Sequence, residues 1–201
     1  MLTTIDEDAV IYILDFSLRE GHTERLLPRV KRVINIDHHI SARARLSQLN
    51  EKDKNFEFVF DNERSGASLS WLYFFEDKPM PRAIELAEDL DLWKWLFKEE
   101  TKYWGNIGYT VSNKPDIVRS YFSKGVEDVL KKGEVIETFS SRLIENFLND
   151  RQTIPLKIGD HTVNAFNSPF FESELGNILS KKFNATVVIF NLSNKDVRMS
   201  F

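Results

Sequence analysis

The chain has 201 residues, of which 42% are hydrophobic, so one or two domains with a sizeable core are expected and a disordered chain is excluded. Its 27 basic and 31 acidic residues give a net charge of −4, which excludes a general coat for duplex DNA because such a coat needs a basic face. The absence of cysteine excludes disulfides, thiol catalysis and cysteine-bound zinc. No apolar run approaches the ~18 residues that span a bilayer and no signal-peptide pattern opens the chain, which predicts a cytoplasmic protein without a membrane partner.

The first half alternates short apolar runs with amphipathic stretches, a rhythm typical of parallel strands joined by helices. Strands are predicted over 9–16, 32–36 and 56–60, and helices over 18–27, 41–49, 65–75 and 81–90. The first strand is almost wholly apolar, so we expect it to be buried on both faces. Ser65 is predicted to be the N-cap of its helix.

The second half has a different pattern. Apolar spacing predicts a helical region over 114–149, followed by a hairpin of two strands at 154–158 and 162–166 around Gly159 and Asp160, a helix over 173–182, and strands over 186–191 and 197–201. The predicted fold is therefore α/β: a parallel sheet with flanking helices, joined by helices to a small α/β domain.

Acidic and imidazole side chains follow two neighbouring predicted strands. Asp15 ends the first strand, and Asp37, His38 and His39 follow the second. Because the carboxyl ends of parallel strands meet at one edge of a sheet, these groups are expected to lie close together. Carboxylate oxygens with an imidazole nitrogen suit Mn²⁺ or Mg²⁺. The alternatives are that the histidines bond only to the backbone of a loop and that Asp15 caps the following helix.

A third acidic group, Asp89, lies near the end of the helix predicted over 81–90. A carboxylate at the carboxyl end of a helix opposes the helix dipole, so it is favoured there when a cation is nearby. A solvated acidic turn is the alternative interpretation.

Four short motifs occur in order: LDFS at 14–17, IDHH at 36–39, ERSGAS at 63–68 and EDLDLW at 88–93. Together they resemble the DHH phosphoesterase superfamily, in particular its oligoribonuclease and exopolyphosphatase-like branch. The stretch NSPFFESELGNILSKK at 167–182 resembles the C-terminal, DHHA1-like substrate domain of that branch. The resemblance implies a DHH-type metal and catalytic domain over 1–125, a helical connector over 126–152, and a small, incomplete substrate-binding domain over 153–201.

The resemblance also implies roles for individual residues. Asp15, His38 and Asp89 would bind Mn²⁺ or Mg²⁺, with two ions in the complete family site. His39 would face the scissile phosphate, and Asp37 would support its loop. The candidates for substrate binding are Arg64, Asn167, Ser168, Ser173 and Asn177, although a structural salt bridge explains Arg64 equally well.

The implied activity is hydrolysis of a phosphoester or phosphoanhydride by metal-activated water, in short oligoribonucleotides or related nucleotides. The chain departs from the family in lacking its first, HxxxD-type motif and its glycine-rich GGGH segment. A fragment and a naturally shortened relative both fit that departure. The alternative function is a non-catalytic binding or regulatory protein. The apolar strand at 10–16 would lack its family neighbour, which also predicts homo-oligomers formed along that edge.

Overall fold

The computed structural model describes residues 5–111, 115–192 and 197–200. The chain divides into two compact units, Met1–Ile136 and Glu137–Phe201. The fold is mixed α/β, as predicted, with one sheet in each unit. The division falls within the predicted connector of 126–152. No helix within the described ranges is long and apolar enough to cross a lipid bilayer.

The first unit contains a parallel sheet with the strand order β1–β2–β3. Its strands are β1 (Val10–Leu14), β2 (Arg32–Asp37) and β3 (Phe56–Phe60), so all three predicted strands are confirmed. Leu14 pairs with Ile36 and Asp37 pairs with Phe60. The three strands therefore end at the same edge of the sheet, as the parallel arrangement requires.

The helices of the first unit are α1 (His22–Leu26), α2 (Ile40–Lys52), α3 (Gly66–Phe74), α4 (Arg82–Asp91), α5 (Glu99–Val111) and α6 (Pro115–Lys124), and α7 (Glu127–Asp150) runs on into the second unit. A short 3₁₀ turn, Leu27–Arg29, follows α1. The helical region predicted over 114–149 is divided at Gly125, whose φ of +81° ends the preceding helix. Lys114, the first residue of that predicted region, lies outside the described residues.

The core of the first unit covers both faces of the central strand β2. Val33 packs with Leu46 of α2 on one face, and Ile34 and Ile36 pack with Leu69 of α3 on the other. Burial of these apolar side chains on both sides explains the continuous apolar run of this strand.

The prediction that the first strand is buried on both faces is wrong. Ile13 is buried, but Val10, Tyr12 and Leu14 are 39–45% exposed. The reason is topological: β1 lies at the edge of the described sheet, where it hydrogen-bonds to β2 alone. On this exposed face, the Tyr12 ring lies 5.1 Å from the ring of Phe74 of α3.

The second unit contains a mixed sheet with the order β4–β5–β6–β7. Its elements are β4 (Ile154–Ile158), β5 (His161–Asn167), α8 (Glu172–Phe183), β6 (Val187–Leu192) and β7 (Val197–Ser200). The predicted hairpin is confirmed: β4 and β5 are antiparallel and turn at Gly159, whose φ is +58°. Leu175 and Leu179 of α8 pack on Phe166 and Ile189 of the sheet. Phe201, the last residue of the predicted final strand, lies outside the described residues.

Candidate metal centre

Asp37 ends β2 and organises the loop that follows it. Its side chain is fully buried, and its Oδ1 accepts hydrogen bonds from the backbone N–H groups of His38, at 2.8 Å, and His39, at 3.2 Å. His39 Nδ1 also lies 2.6 Å from Oδ1, and the Ser17 hydroxyl donates to Oδ2 at 2.5 Å. Burial alone would raise the pKa of Asp37, but these hydrogen bonds outweigh it and lower the pKa. Asp37 is thus a buried carboxylate that fixes both histidines.

Asp15 follows β1 in an unusual backbone conformation. Its φ of +62° lies in the left-handed region, which costs energy for a residue other than glycine. Its backbone N–H donates to the Ile36 carbonyl at 2.9 Å, and the buried Asn35 amide donates to the Phe16 carbonyl at 3.0 Å. This loop therefore holds the Asp15 carboxylate 3.4 Å from His38 Nε2.

Gly66, the first residue of α3, lies against Asp15. A Cβ at position 66 would fall 2.1 Å from Asp15 Oδ1 and 2.5 Å from Asp15 Cβ, closer than any real contact. A glycine is needed here because the backbone of α3 approaches the carboxylate so closely. The Ser65 hydroxyl accepts from the Ser68 N–H at 3.1 Å, which confirms Ser65 as the N-cap.

Glu88 of α4 holds that helix against the start of α3. Its carboxylate accepts hydrogen bonds from the Ser65 N–H, at 3.2 Å, and from the Ser68 hydroxyl. Arg64 Nη1 lies 3.4 Å from Glu88 Oε1, and the Arg64 side chain remains 44% exposed. Arg64 was predicted to bind substrate or to form a structural salt bridge, and it forms the salt bridge.

The structure does not bring Asp89 into the cluster around His38. Asp89 is 2% exposed, and its carboxylate accepts from the backbone N–H groups of Leu96, at 2.8 Å, and Phe97, at 3.1 Å, and from the Thr101 hydroxyl. Burial would raise the pKa of Asp89, but these hydrogen bonds, helped by the charge of Lys94, lower it. Its oxygens are therefore occupied in holding the turn after α4.

Asp91, which sequence reasoning missed, takes the place predicted for Asp89. Its Oδ2 lies 3.4 Å from His38 Nε2, the same distance as Asp15 Oδ1. Two residues along a helix correspond to a rotation of about 200°, so the two aspartates point to nearly opposite sides of α4. The sequence does indicate which of the two aspartates is buried. Asp89 follows the buried Leu86 by three residues and therefore lies on the same, buried face of α4.

These side chains form one cluster. Asp15, Asp37, His38 and His39 each offer a ligand atom, and the four atoms lie within 4.8 Å of one another. Burial and the charge of Asp91 raise the pKa of Asp15, against a smaller opposing effect of the histidines. The hydrogen bond that His39 Nδ1 donates to the Asp37 carboxylate raises the pKa of His39. Carboxylates that repel one another in this way favour a positive charge between them.

The donor set fits a divalent cation. Two ligands that each lie about 2.1 Å from an ion are about 3.0 Å apart at a right angle and about 3.4 Å apart at a tetrahedral angle. The two separations of 3.4 Å from His38 Nε2 are about 0.4 Å longer than the right-angle value of an octahedral ion, and they exceed an ordinary hydrogen bond. Carboxylates with one imidazole suit Mn²⁺ or Mg²⁺. Asp15 and His38 belong to the cluster of four, and Asp91 lies outside that group but at the same distance from His38 Nε2, so these three residues could hold such an ion.

The remaining predicted substrate residues lie in the second unit. Asn167 ends β5 and is exposed, as is Ser173 in the first turn of α8, while Asn177 is half-buried on the same helix. Ser168 is buried, and its hydroxyl donates to the Phe170 carbonyl at 2.7 Å and accepts from the Phe170 N–H at 3.3 Å. Ser168 therefore stabilises the turn before α8, whereas Asn167 and Ser173 are open to solvent.

Comparisons with known proteins give no function. No family model matches the chain. The chain is 26% identical over 180 residues to an uncharacterised protein of Acanthamoeba polyphaga mimivirus. The aligned region covers 86% of this chain and 41% of that relative. The chain thus spans less than half of the length of this relative. An uncharacterised protein from Helicobacter pylori G27 aligns over 98% of this chain and 70% of its own, at 12% identity and a TM-score of 0.39, which is too low to define a shared fold.

Proposed function

We propose that this chain binds Mn²⁺ or Mg²⁺ through Asp15, His38 and Asp91 and is a metal-dependent phosphohydrolase of short oligoribonucleotides or related nucleotides. The observation that carries the proposal is the placement of two carboxylates, each 3.4 Å from His38 Nε2, at the carboxyl edge of a parallel sheet. The resemblance of four ordered motifs to the DHH phosphoesterases supplies the reaction class. A bound ion would supply an activated water and neutralise charge on the phosphate.

His39 is suited to act on the phosphate. Its side chain is 54% exposed, and its Nδ1 faces the buried Asp37 carboxylate at 2.6 Å. This contact orients the ring so that Nε2 is left for a substrate, and it raises the pKa of His39, which favours a proton there. A protonated His39 would donate a hydrogen bond to a phosphate oxygen while Asp37 balances its charge.

The test separates metal binding from turnover. Calorimetric titration with Mn²⁺ should show binding by the wild-type chain and its loss in Asp15→Ala and His38→Ala. His39→Ala should keep Mn²⁺ binding but impair hydrolysis of short oligoribonucleotides. His161→Ala, which removes an exposed histidine of the second unit, is the matched control and should change neither quantity.

Three results would count against parts of the proposal. Equal loss of Mn²⁺ by Asp15→Ala and His39→Ala would mean that the roles are wrongly assigned. Mn²⁺ binding unaffected by Asp15→Ala and His38→Ala would place the metal elsewhere. Mn²⁺ binding without turnover of any short oligoribonucleotide, nucleoside bisphosphate or polyphosphate would favour the alternative of a binding or regulatory protein.

A further inference from the structure

A cavity of about 380 Å³ lies beside the cluster and shares Asp37 and His39 with it. One wall is the loop after β1, which contributes Phe16, and another is the first part of α2, which contributes Ser41 and Arg45. This volume falls within the range of small-molecule sites, which is roughly 300–1,000 Å³. Because His39 belongs to both the cluster and the cavity wall, a molecule whose phosphate meets His39 can extend into the cavity.

Phe16 gives the cavity an aromatic surface that is both exposed and anchored. Its side chain is 52% exposed, although its carbonyl is held by the buried Asn35 amide at 3.0 Å. The next residue, Ser17, is tied to Asp37 through its hydroxyl. An exposed ring on a loop fixed at both ends suits stacking against a flat ligand, since little mobility is lost on binding.

Polar groups line the cavity beyond the ring. Arg45 lines the cavity from α2, where its Nη2 donates to the Leu18 carbonyl at 2.6 Å and its Nη1 lies 3.8 Å from Glu24 Oε1. Glu20 adds a carboxylate to the same wall, so the cavity offers both donors and acceptors and is not a simple anion site.

We propose that this cavity binds the nucleoside attached to the phosphate that His39 faces, with the base stacked on Phe16 and its polar edge contacting Arg45 and Glu20. A nucleobase matches these walls because it is flat, aromatic and carries both hydrogen-bond donors and acceptors. This inference rests on the proposed function, which places the phosphate at His39.

The experiment compares AMP, ribose 5-phosphate and inorganic phosphate by calorimetry, with and without Mn²⁺. AMP should bind most tightly because only AMP carries a base. Phe16→Ala should weaken AMP binding about 10- to 100-fold, the effect expected for one stacked base, and leave ribose 5-phosphate unchanged. Ser41→Leu, which fills the cavity from α2, should also weaken AMP binding selectively. Ala44→Leu, at an exposed position of the same helix outside the cavity wall, is its matched control.

The outcomes distinguish this inference from the proposed function. Equal binding of AMP and ribose 5-phosphate, or equal weakening of both by Phe16→Ala, would overturn the nucleoside site even if Mn²⁺ binds as expected. Failure of the wild-type chain to bind Mn²⁺ would overturn the proposed function. In that case, a preference for AMP over ribose 5-phosphate that Phe16→Ala abolishes in metal-free protein would still support the cavity as a nucleoside site.

Discussion

Carboxylates occur at the end of α4 and in the loops after β1 and β2, but the groups that surround the carboxylates differ between these two regions. In the turn, Asp89 is buried and accepts hydrogen bonds from Leu96, Phe97 and Thr101. At the sheet edge, the Asp15 carboxylate lies against His38, and burial and the nearby charge of Asp91 raise the pKa of Asp15. A carboxylate saturated by protein donors stabilises the fold, whereas carboxylates crowded around one imidazole have oxygen lone pairs left for a cation.

The largest expected effect is the loss of stability when Asp89 is removed. Asp89→Ala removes a buried carboxylate and leaves two backbone N–H groups and the buried Thr101 hydroxyl without their acceptor, which should lower the free energy of unfolding by about 3 kcal/mol. Urea denaturation followed by circular dichroism measures this change. A loss below about 0.5 kcal/mol, the usual range of surface substitutions, would show that Asp89 does not hold the turn.

The complementary variant, Asp91→Asn, should show the reverse pattern. Asp91 is exposed at the end of α4, so its loss should change the free energy of unfolding by no more than about 0.5 kcal/mol. Removal of a direct ligand should weaken Mn²⁺ binding by at least about tenfold, since even outer groups around a metal have effects of that size. The exposed Asp160, changed to Asn, is the control. Unaltered Mn²⁺ affinity in Asp91→Asn would remove this residue from the centre.

Gly66→Ala tests whether the position of Asp15 depends on α3. The added Cβ would meet Asp15 Oδ1 at 2.1 Å, so the carboxylate and its loop must move away from His38. We expect a cost of about 1–3 kcal/mol in stability and a marked loss of Mn²⁺ affinity. Gly108→Ala is the matched control, because a Cβ at that position of α5 meets nothing within 4 Å. If both variants bind Mn²⁺ as the wild type does, the close approach of Gly66 is unimportant for the centre.

The sequence predicted the sheet better than it predicted the site. β3 has the predicted bounds because its apolar run is short and local. Helix α5 was missed, since Gly105 and Gly108 weaken its helical signal, although Gly105 lets α5 pack closely against Leu90 of α4. The features that the sequence did not predict depend on tertiary contacts.

Those contacts explain which parts of the site were found. Asp15, His38 and His39 were brought together as expected, because strand ends of one parallel sheet must share an edge. The exchange of Asp89 for Asp91 depended on the rotation of α4, which motif resemblance does not specify. The need for glycine at position 66 depends on a contact between segments about 50 residues apart in sequence, which no local pattern contains.

The smallest expected effect is a difference in acid sensitivity. Hydrogen bonds lower the pKa of Asp89 in the folded chain, so the unfolded chain takes up a proton on this group at a higher pH than the folded chain does. The stabilisation is therefore complete above the ordinary aspartate range, about pH 4, and is lost as the pH falls through the lowered value. Asp89→Asn removes this titration. The difference in free energy of unfolding between the wild type and Asp89→Asn should shrink between neutral pH and about pH 3, whereas Asp160→Asn should follow the wild-type curve throughout. If the difference in free energy of unfolding between the wild type and Asp89→Asn stays constant with pH, the shape of the Asp89 side chain, and not its charge, stabilises the turn. The contrast between the two carboxylate regions would then depend on packing alone.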